Sequence, residues 1–479
     1  MVLPDNTNEI TELTVDQAKE LAERYGDLEL NGLITLSPDA AKVLAKYRDG
    51  NLFLDSLTTL SDQAAKALAK FEGHLSLNGL AALSANAAKA LAKRDDEVLR
   101  LNGLTTLSDE AAKALSQFFG PLELNGLTTL SEEAATALAE RMGDLELSGL
   151  TTLSDEAAEA LAQREAQDDE ELLALNGLTT LSDQAAKALA KFEGLLSLDG
   201  LTTLSDEAVK ALAQTTSLSL GGLTALSDEA AKVLAQHKGH LLLNGLTTLS
   251  DQAAKALAQH EGDYLSLTGL TTLSDEAAKA LAQYEGKYLY LGLSTLSPKA
   301  AKVLAEFPDG SLFLDSLTTL SDEAARALAQ HKGYLSLTGL TTLSDEAAKA
   351  LAKHEGDLRL NGLASISDEA FKALQANSQI VLPKQFNRVQ KSERKQAIKG
   401  SVSQPAKPHT APEAAEWHVA NNGGQSGAYT TQQVRDMIEK GQLPADGLVW
   451  KPGMTGWILS AECPEFADMF VIPSPPGQS

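Results

Sequence analysis

One phrase dominates this chain and limits what it can fold into: Leu99-Arg100-Leu101-Asn102-Gly103-Leu104-Thr105-Thr106-Leu107-Ser108-Asp109-Glu110-Ala111-Ala112-Lys113-Ala114-Leu115. Near-copies return about every 23 residues, a period that belongs to solenoids. Leu99 and Leu101 flank an outward Arg100, the period-2 mark of a short strand with one buried face. Asn102-Gly103 is expected to turn the chain, glycine accepting backbone angles that a Cβ forbids. Ser108 is a natural N-cap, and Asp109 and Glu110 sit where a helix dipole favours acid. Ala111, Ala112 and Leu115 share a face with Leu107, while Glu110 and Lys113 point to water. Each copy is therefore a strand, a turn and a short helix.

A single copy cannot fold. A buried leucine contributes about 1.5–3 kcal/mol, whereas ordering each residue costs roughly 1.5 kcal/mol. Only stacked copies bury both sides of each leucine layer.

Leu-x-Leu starts fall at Leu28, Leu52, Leu75, Leu99, Leu122, Leu145, Leu173, Leu196, Leu218, Leu241, Leu265, Leu289, Leu312, Leu335 and Leu358, with Ile380-Val381-Leu382 as an expected last strand. At about 4.8 Å per strand the array would be near 70 Å long. This pattern resembles the leucine-rich repeat family, in particular its short bacterial types, over about residues 10–382. The resemblance implies an α/β solenoid of about fifteen repeats, with parallel strands inside and short helices outside. One departure stands out. Family members set an Asn ladder in the turn after the strand, whereas here Leu104 and its equivalents fall at or near that place. Asn102 is the alternative partner for the backbone, although Asp55, Ser148, Thr268 and Thr338 at its counterparts show that Asn is not required there.

Residues 1–27 read as an N-terminal helical cap and 28–382 as the solenoid. Between Leu145 and Leu173 an insertion, Glu165 to Glu171, is expected to be an exposed acidic loop. Residues 383–414 are basic, end among prolines and read as a flexible linker. All three tryptophans follow, at Trp417, Trp450 and Trp457. Thr431–Lys440 has the pattern of an amphipathic helix and Leu448-Val449-Trp450 of a strand. Trp417, Gly427-Ala428-Tyr429, Val449-Trp450 and Gly453-Met454-Thr455-Gly456-Trp457 together resemble a bacterial GYF-like domain of the GYF_2 type, a small α+β fold, over 415–472. Its classical relatives bind proline-rich peptides in an aromatic groove. The resemblance implies such a groove at Trp417, Tyr429 and Trp450. Ala428 stands where the family prefers proline and Val419 where classical members carry an aromatic residue. The tail, 473–479, is Pro-rich, and Pro473–Gly477 is itself a candidate ligand; the alternative is an ordinary disordered end.

The net charge of −25 argues against non-specific binding to nucleic acid or anionic membrane. One cysteine, Cys463, leaves no intrachain disulfide. The start carries no secretory signal and no stretch has the apolar length of a membrane span, so a cytoplasmic chain is expected. No phosphate loop, nucleophile elbow or zinc motif occurs, so neither enzymatic activity nor a cofactor is expected. His237, His260, His331 and His354 occupy one column at the helix ends. Tyr47, Phe71, Phe192, Tyr284 and Phe307 share that column, which fits a capping role better than a metal site.

On the strand face most units carry small or charged outward residues, such as Ser76, Glu123, Ser197 and Ser219. Tyr264, Tyr288, Tyr290, Phe313 and Tyr334 break that pattern. They read either as anchors for a protein partner or as rings covering the strand layer. The sequence thus points to a non-enzymatic interaction scaffold. The alternative is a spacer array in which only the C-terminal domain binds.

Overall fold

The computed structural model describes residues 3–4, 6–94, 97–166, 171–308, 310–384 and 386, and then 417–421, 424–439, 443, 448–451, 454, 458–460, 463 and 466. The chain divides into two units, residues 1–391 and 392–479.

In the first unit every Leu-x-Leu start becomes a strand. Sixteen strands, β1 (Leu28–Glu29) to β16 (Ile380–Val381), pair in parallel and in sequence order. The register sets leucine on leucine: Leu28 faces Leu52, Leu99 faces Leu122, and Leu358 faces Ile380. Leu99, Leu101 and Leu104 are fully buried, as are nearly all their counterparts up to β15, while Ile380 and Leu382 at the last strand are half-buried. Strands this short have few ladder bonds of their own. The leucine stack holds them in register, since a one-residue slip would turn every leucine to solvent.

The outer layer is a row of short helices such as α5 (Asp109–Leu115). Two turns of helix are unstable alone, and each is held at its start and along its inner face. Ser108 Oγ accepts from Ala111 N at 3.2 Å, while Ala111, Ala112 and Leu115 are fully buried. The cap serine also works sideways. Its hydroxyl donates to the first helical aspartate of the preceding unit, as in Ser131 to Asp109 (2.5 Å), Ser250 to Asp228 (2.5 Å) and Ser297 to Asp275 (2.8 Å). Acid at the helix start thus serves a neighbour as well as the dipole.

A second lateral ladder corrects the expectation for the turn. Asn8 Oδ1 accepts from Asn31 N (2.9 Å), Asn31 from Asp55, Asp55 from Asn78, Asn78 from Asn102, Asn102 from Asn125 (2.9 Å), and Asn125 from Ser148 (2.8 Å). The Asn ladder is therefore present, at the Asn102 column and not at Leu104. Beyond Ser148 it survives in pieces: Asn176 to Asp199 to Gly221, Asn244 to Thr268, and Asp315 to Thr338.

Gly103 also has a different reason for being there. Its φ is not left-handed; a Cβ would lie well inside contact distance of Asn78 O in the unit before. Close approach of two backbones, not a special angle, demands glycine. Where Ser56 takes this place, its hydroxyl hydrogen-bonds Asn31 O.

Three further expectations change. Ser76, Ser197 and Ser219 are buried, because their hydroxyls turn into the Asn/Asp ladder at Asp55, Asn176 and Asp199. Glu171 is not part of an exposed loop: it is buried and accepts from the buried Arg164 at 2.9 Å, while residues 167–170 lie outside the described residues. Phe386, placed in the linker, packs on Phe371 with ring centroids 6.0 Å apart. At the other end, a helix (Val15–Leu21) with a Thr14/Gln17 capping box precedes β1.

Among the described residues the second unit has a four-stranded antiparallel sheet, ordered β18 (Gly424–Tyr429), β17 (Trp417–Asn421), β19 (Leu448–Trp450) and β20 (Ile458–Leu459), and a helix, α17 (Thr431–Glu439). Its core gathers Trp417, Val419, Val434, Leu443, Val449, Cys463 and Phe466.

Candidate binding surfaces

The strand face carries one unbroken run of rings. It lies over β11 (Tyr264–Leu267), β12 (Tyr288–Leu291), β13 (Ser311–Phe313) and β14 (Leu335–Ser336). Two columns supply it. The column before each first leucine holds His240, Tyr264, Tyr288, Ser311 and Tyr334; the column between the leucines holds Leu242, Ser266, Tyr290, Phe313 and Ser336. Ring centroids lie 5.1 Å apart for His240 and Tyr264, 4.8 Å for Tyr264 and Tyr290, 3.9 Å for Tyr290 and Phe313, and 5.2 Å for Phe313 and Tyr334. Tyr288 stands 6.1 Å from Tyr264 and is 40% exposed. All five residues expected from the sequence are thus brought together.

The rings have small neighbours: Ser266 and Ser336 are each 2% exposed, their hydroxyls turned into the ladder at Asn244 and Asp315 as that of Ser76 is at Asp55. Burial, and then a hydrogen bond with Tyr264, hold the Tyr290 hydroxyl well above the usual phenol range. Beside the rings runs a shallow groove of about 480 Å³, lined by Leu195, His240, Leu242, Tyr264, Tyr288 and Tyr290. His240, Leu242 and Leu195 were not singled out in the sequence. Their column positions, next to and between the strand leucines, are the signal that could have found them.

The helix-end column forms a second stack, this one inside the protein. His237, His260, Tyr284, Phe307, His331 and His354 follow one another with centroids 5.8–6.2 Å apart and planes within about 21°. All are nearly fully buried. Their polar tips reach back one unit: Tyr284 Oη donates to Gly262 O at 2.5 Å, and Nε2 of His260 and His354 lies 3.1 Å from Gly239 O and Gly333 O. Arg94 and Arg141 use the same column to donate to backbone carbonyls. Burial is the largest cause that depresses His237, His354 and His260, the last to about 4. No group of His, Cys, Asp and Glu suited to a metal ion occurs among the described residues.

In the second unit the three expected groove residues do not share one open face. Trp417 is 2% exposed, packs edge-on against Phe466 at 4.8 Å and donates through Nε1 to Thr431 Oγ1 at 3.1 Å. Strand alternation explains this: Trp417 and Val419 turn inward, so His418 between them turns outward. Trp450 pairs with His418 across the strands, their rings 5.5 Å apart, while Tyr429 pairs with Trp417 and packs on the core. Trp457 and Pro473–Gly477 lie outside the described residues.

These features define the first unit as a leucine-rich-repeat solenoid, its strand face bearing an aromatic strip. The second unit is GYF-like: the family model "GYF domain 2" matches residues 417–466. No curated protein matches the chain. Among solved structures, the chain is similar to an internalin of Listeria monocytogenes, at 15% identity and a TM-score of 0.37, covering 77% of this chain and 93% of that one. It is also similar to TLR13 in its complex with ssRNA13, at 17% identity and a TM-score of 0.39, covering 74% and 53%. A third is the Drosophila Toll–Spatzle complex, at 16% and 0.36, covering 79% and 48%. No helix among the described residues is long and apolar enough to cross a membrane.

Proposed function

We propose that this protein is a non-enzymatic interaction scaffold. The array holds a protein partner on its strand face at Tyr264, Tyr288, Tyr290, Phe313 and Tyr334, and the GYF-like unit takes a proline-rich peptide. The observation that carries the reading is the aromatic strip itself. Five rings in mutual contact on one open face are costly to leave in water and are common anchors at interfaces. For the GYF-like unit, the buried Trp417 supports the sheet, and contact falls to Tyr429 or to Trp450 on the opposite side. Two tethered sites raise the effective concentration of one ligand near the other.

Replacing Tyr288, Tyr290 and Phe313 together by serine tests this. Serine already occupies the inner column at Ser266 and Ser336, so the variant should fold. A scaffold loses a cross-linked partner in a pull-down; a spacer array keeps its full set. For the second unit, Tyr429→Ala and Trp450→Ala tested separately by peptide titration report which side binds.

A further inference from the structure

The strip has a shape, a charge and a pitch, and together they select one kind of partner. We infer that the strand face over β10 (Leu241–Leu242) to β14 binds an extended, proline-rich segment carrying lysine or arginine. This inference rests on the strip being a protein-binding surface.

The pitch comes first. Tyr288 and Tyr334 occupy the same column, two strands apart, with the small Ser311 between them. Two strand steps make about 9.6 Å, and one turn of polyproline II, three residues at 3.1 Å, makes about 9.3 Å. An extended ligand crossing the strands would place every third residue beside equivalent rings, over the gap that Ser311 leaves. The groove lined by Leu242, His240 and Tyr264 continues the same path toward β10. Polyproline II has no internal hydrogen bonds, so its carbonyls are free to accept from tyrosine hydroxyls, and its rigidity lowers the entropy cost of docking.

The charge comes second. No charged side chain stands in either column from β11 to β14. Along the adjoining edge, Lys238 and Lys287 are tied to Glu261 and Asp263. That leaves Glu285 balanced by Lys332 on this edge, while Asp315, exposed just after β13, is one carboxylate left near the ring faces. Ring faces and carboxylates both favour a cationic ligand.

The chain's own residues 403–412, Ser-Gln-Pro-Ala-Lys-Pro-His-Thr-Ala-Pro, have this composition and supply a probe. A labelled peptide of that sequence is titrated into the full chain and followed by fluorescence anisotropy. To remove any contribution of the GYF-like unit, the titration is run in a Tyr429→Ala/Trp450→Ala background; expected there is saturable binding that Tyr290→Ser/Tyr334→Ser weakens by about tenfold or more. Tyr290→Phe, which keeps the ring, should retain most of the affinity. A peptide with all three prolines changed to alanine should bind about tenfold more weakly. Binding should also fall when Lys407 of the peptide is changed to glutamate.

No saturable binding overturns the inference. So does binding in that background that the strip variant leaves unchanged, or equal affinity for the alanine peptide. The two layers fail differently. If the serine triple variant loses a folded partner that the peptide does not displace, the surface stands as a protein site and the proline-rich class falls. If neither partner nor peptide responds to the strip, both fall.

Discussion

At the scale of single residues, the array turns on side chains that serve the unit next door. Asn102 Oδ1 accepts the amide of Asn125, so Asn102→Ala leaves that buried-side donor without its acceptor. The expected cost is about 1–2 kcal/mol, with faster hydrogen exchange at the Asn125 amide. Ser148 receives a rung from no later unit among the described residues, so Ser148→Ala should leave the following unit's exchange unchanged. Gly103→Ala puts a methyl group against Asn78 O and should destabilise by about 1–3 kcal/mol, as overpacking does, measured by urea unfolding. Gly103→Ser should be milder, since Ser56 shows how a hydroxyl turns that contact into a hydrogen bond. The leucines, the cap serines and the helix alanines were legible in the sequence because each has, besides its contact with the neighbour, a role within its own copy: strand alternation, the N-cap and the helix face. The inter-unit partners of the Asn102 column, the role of Gly103 and the burial of Ser76 were not, because the partner lies one copy away and near-identical copies hide which neighbour is served.

At the scale of elements, the buried ring stack couples the helix ends to pH. His237, His260 and His354 are biased toward the neutral form chiefly by burial, His260 being depressed to about 4. A histidine whose folded pKa lies below its unfolded value contributes stability that is complete above about pH 6.5 and is lost as the pH falls toward 4. Units bearing His237, His260 and His354 should therefore open first as the pH falls below 6.5, and His260→Phe, which keeps the ring, should flatten that dependence. Hydrogen exchange against pH checks this, with the Tyr47–Phe71 units, which lack histidine in the column, as the internal control. The sequence placed these rings in one column. It did not show them as a continuous stack, because coplanarity depends on how closely successive units superimpose.

At the scale of the whole array, stability should be uneven along its length. Lateral rungs run unbroken from Asn8 to Ser148 and then only in pieces. In a solenoid, stability is close to a sum of unit and neighbour terms, so strand amides from 28 to 147 should exchange more slowly than those from 240 to 340. The aromatic strip lies in the second stretch, where Gly292 shortens a turn and no Asn/Asp acceptor serves it. The strip's members were legible from five exceptional residues in two columns. The groove beside them needed the fold, which brings Leu195 and Leu242 alongside rings that are distant in sequence. Trp417 shows the opposite limit: the family resemblance placed it in a ligand groove, with a place in the small core as the alternative, and the structure turns it inward.

The direction of those rungs carries a further consequence. Each side chain accepts and each following backbone donates, so the incoming unit needs only an amide, which every residue but proline provides. The first unit is different, since its amide at Asn31 must be met from outside the array, and Asn8 meets it. A chain built this way has a growth polarity. Copies can be added or deleted behind an existing unit without rewriting the units before it, whereas the front must keep one dedicated residue. Variation in array length among related sequences should therefore accumulate after the first units, with the residue equivalent to Asn8 kept.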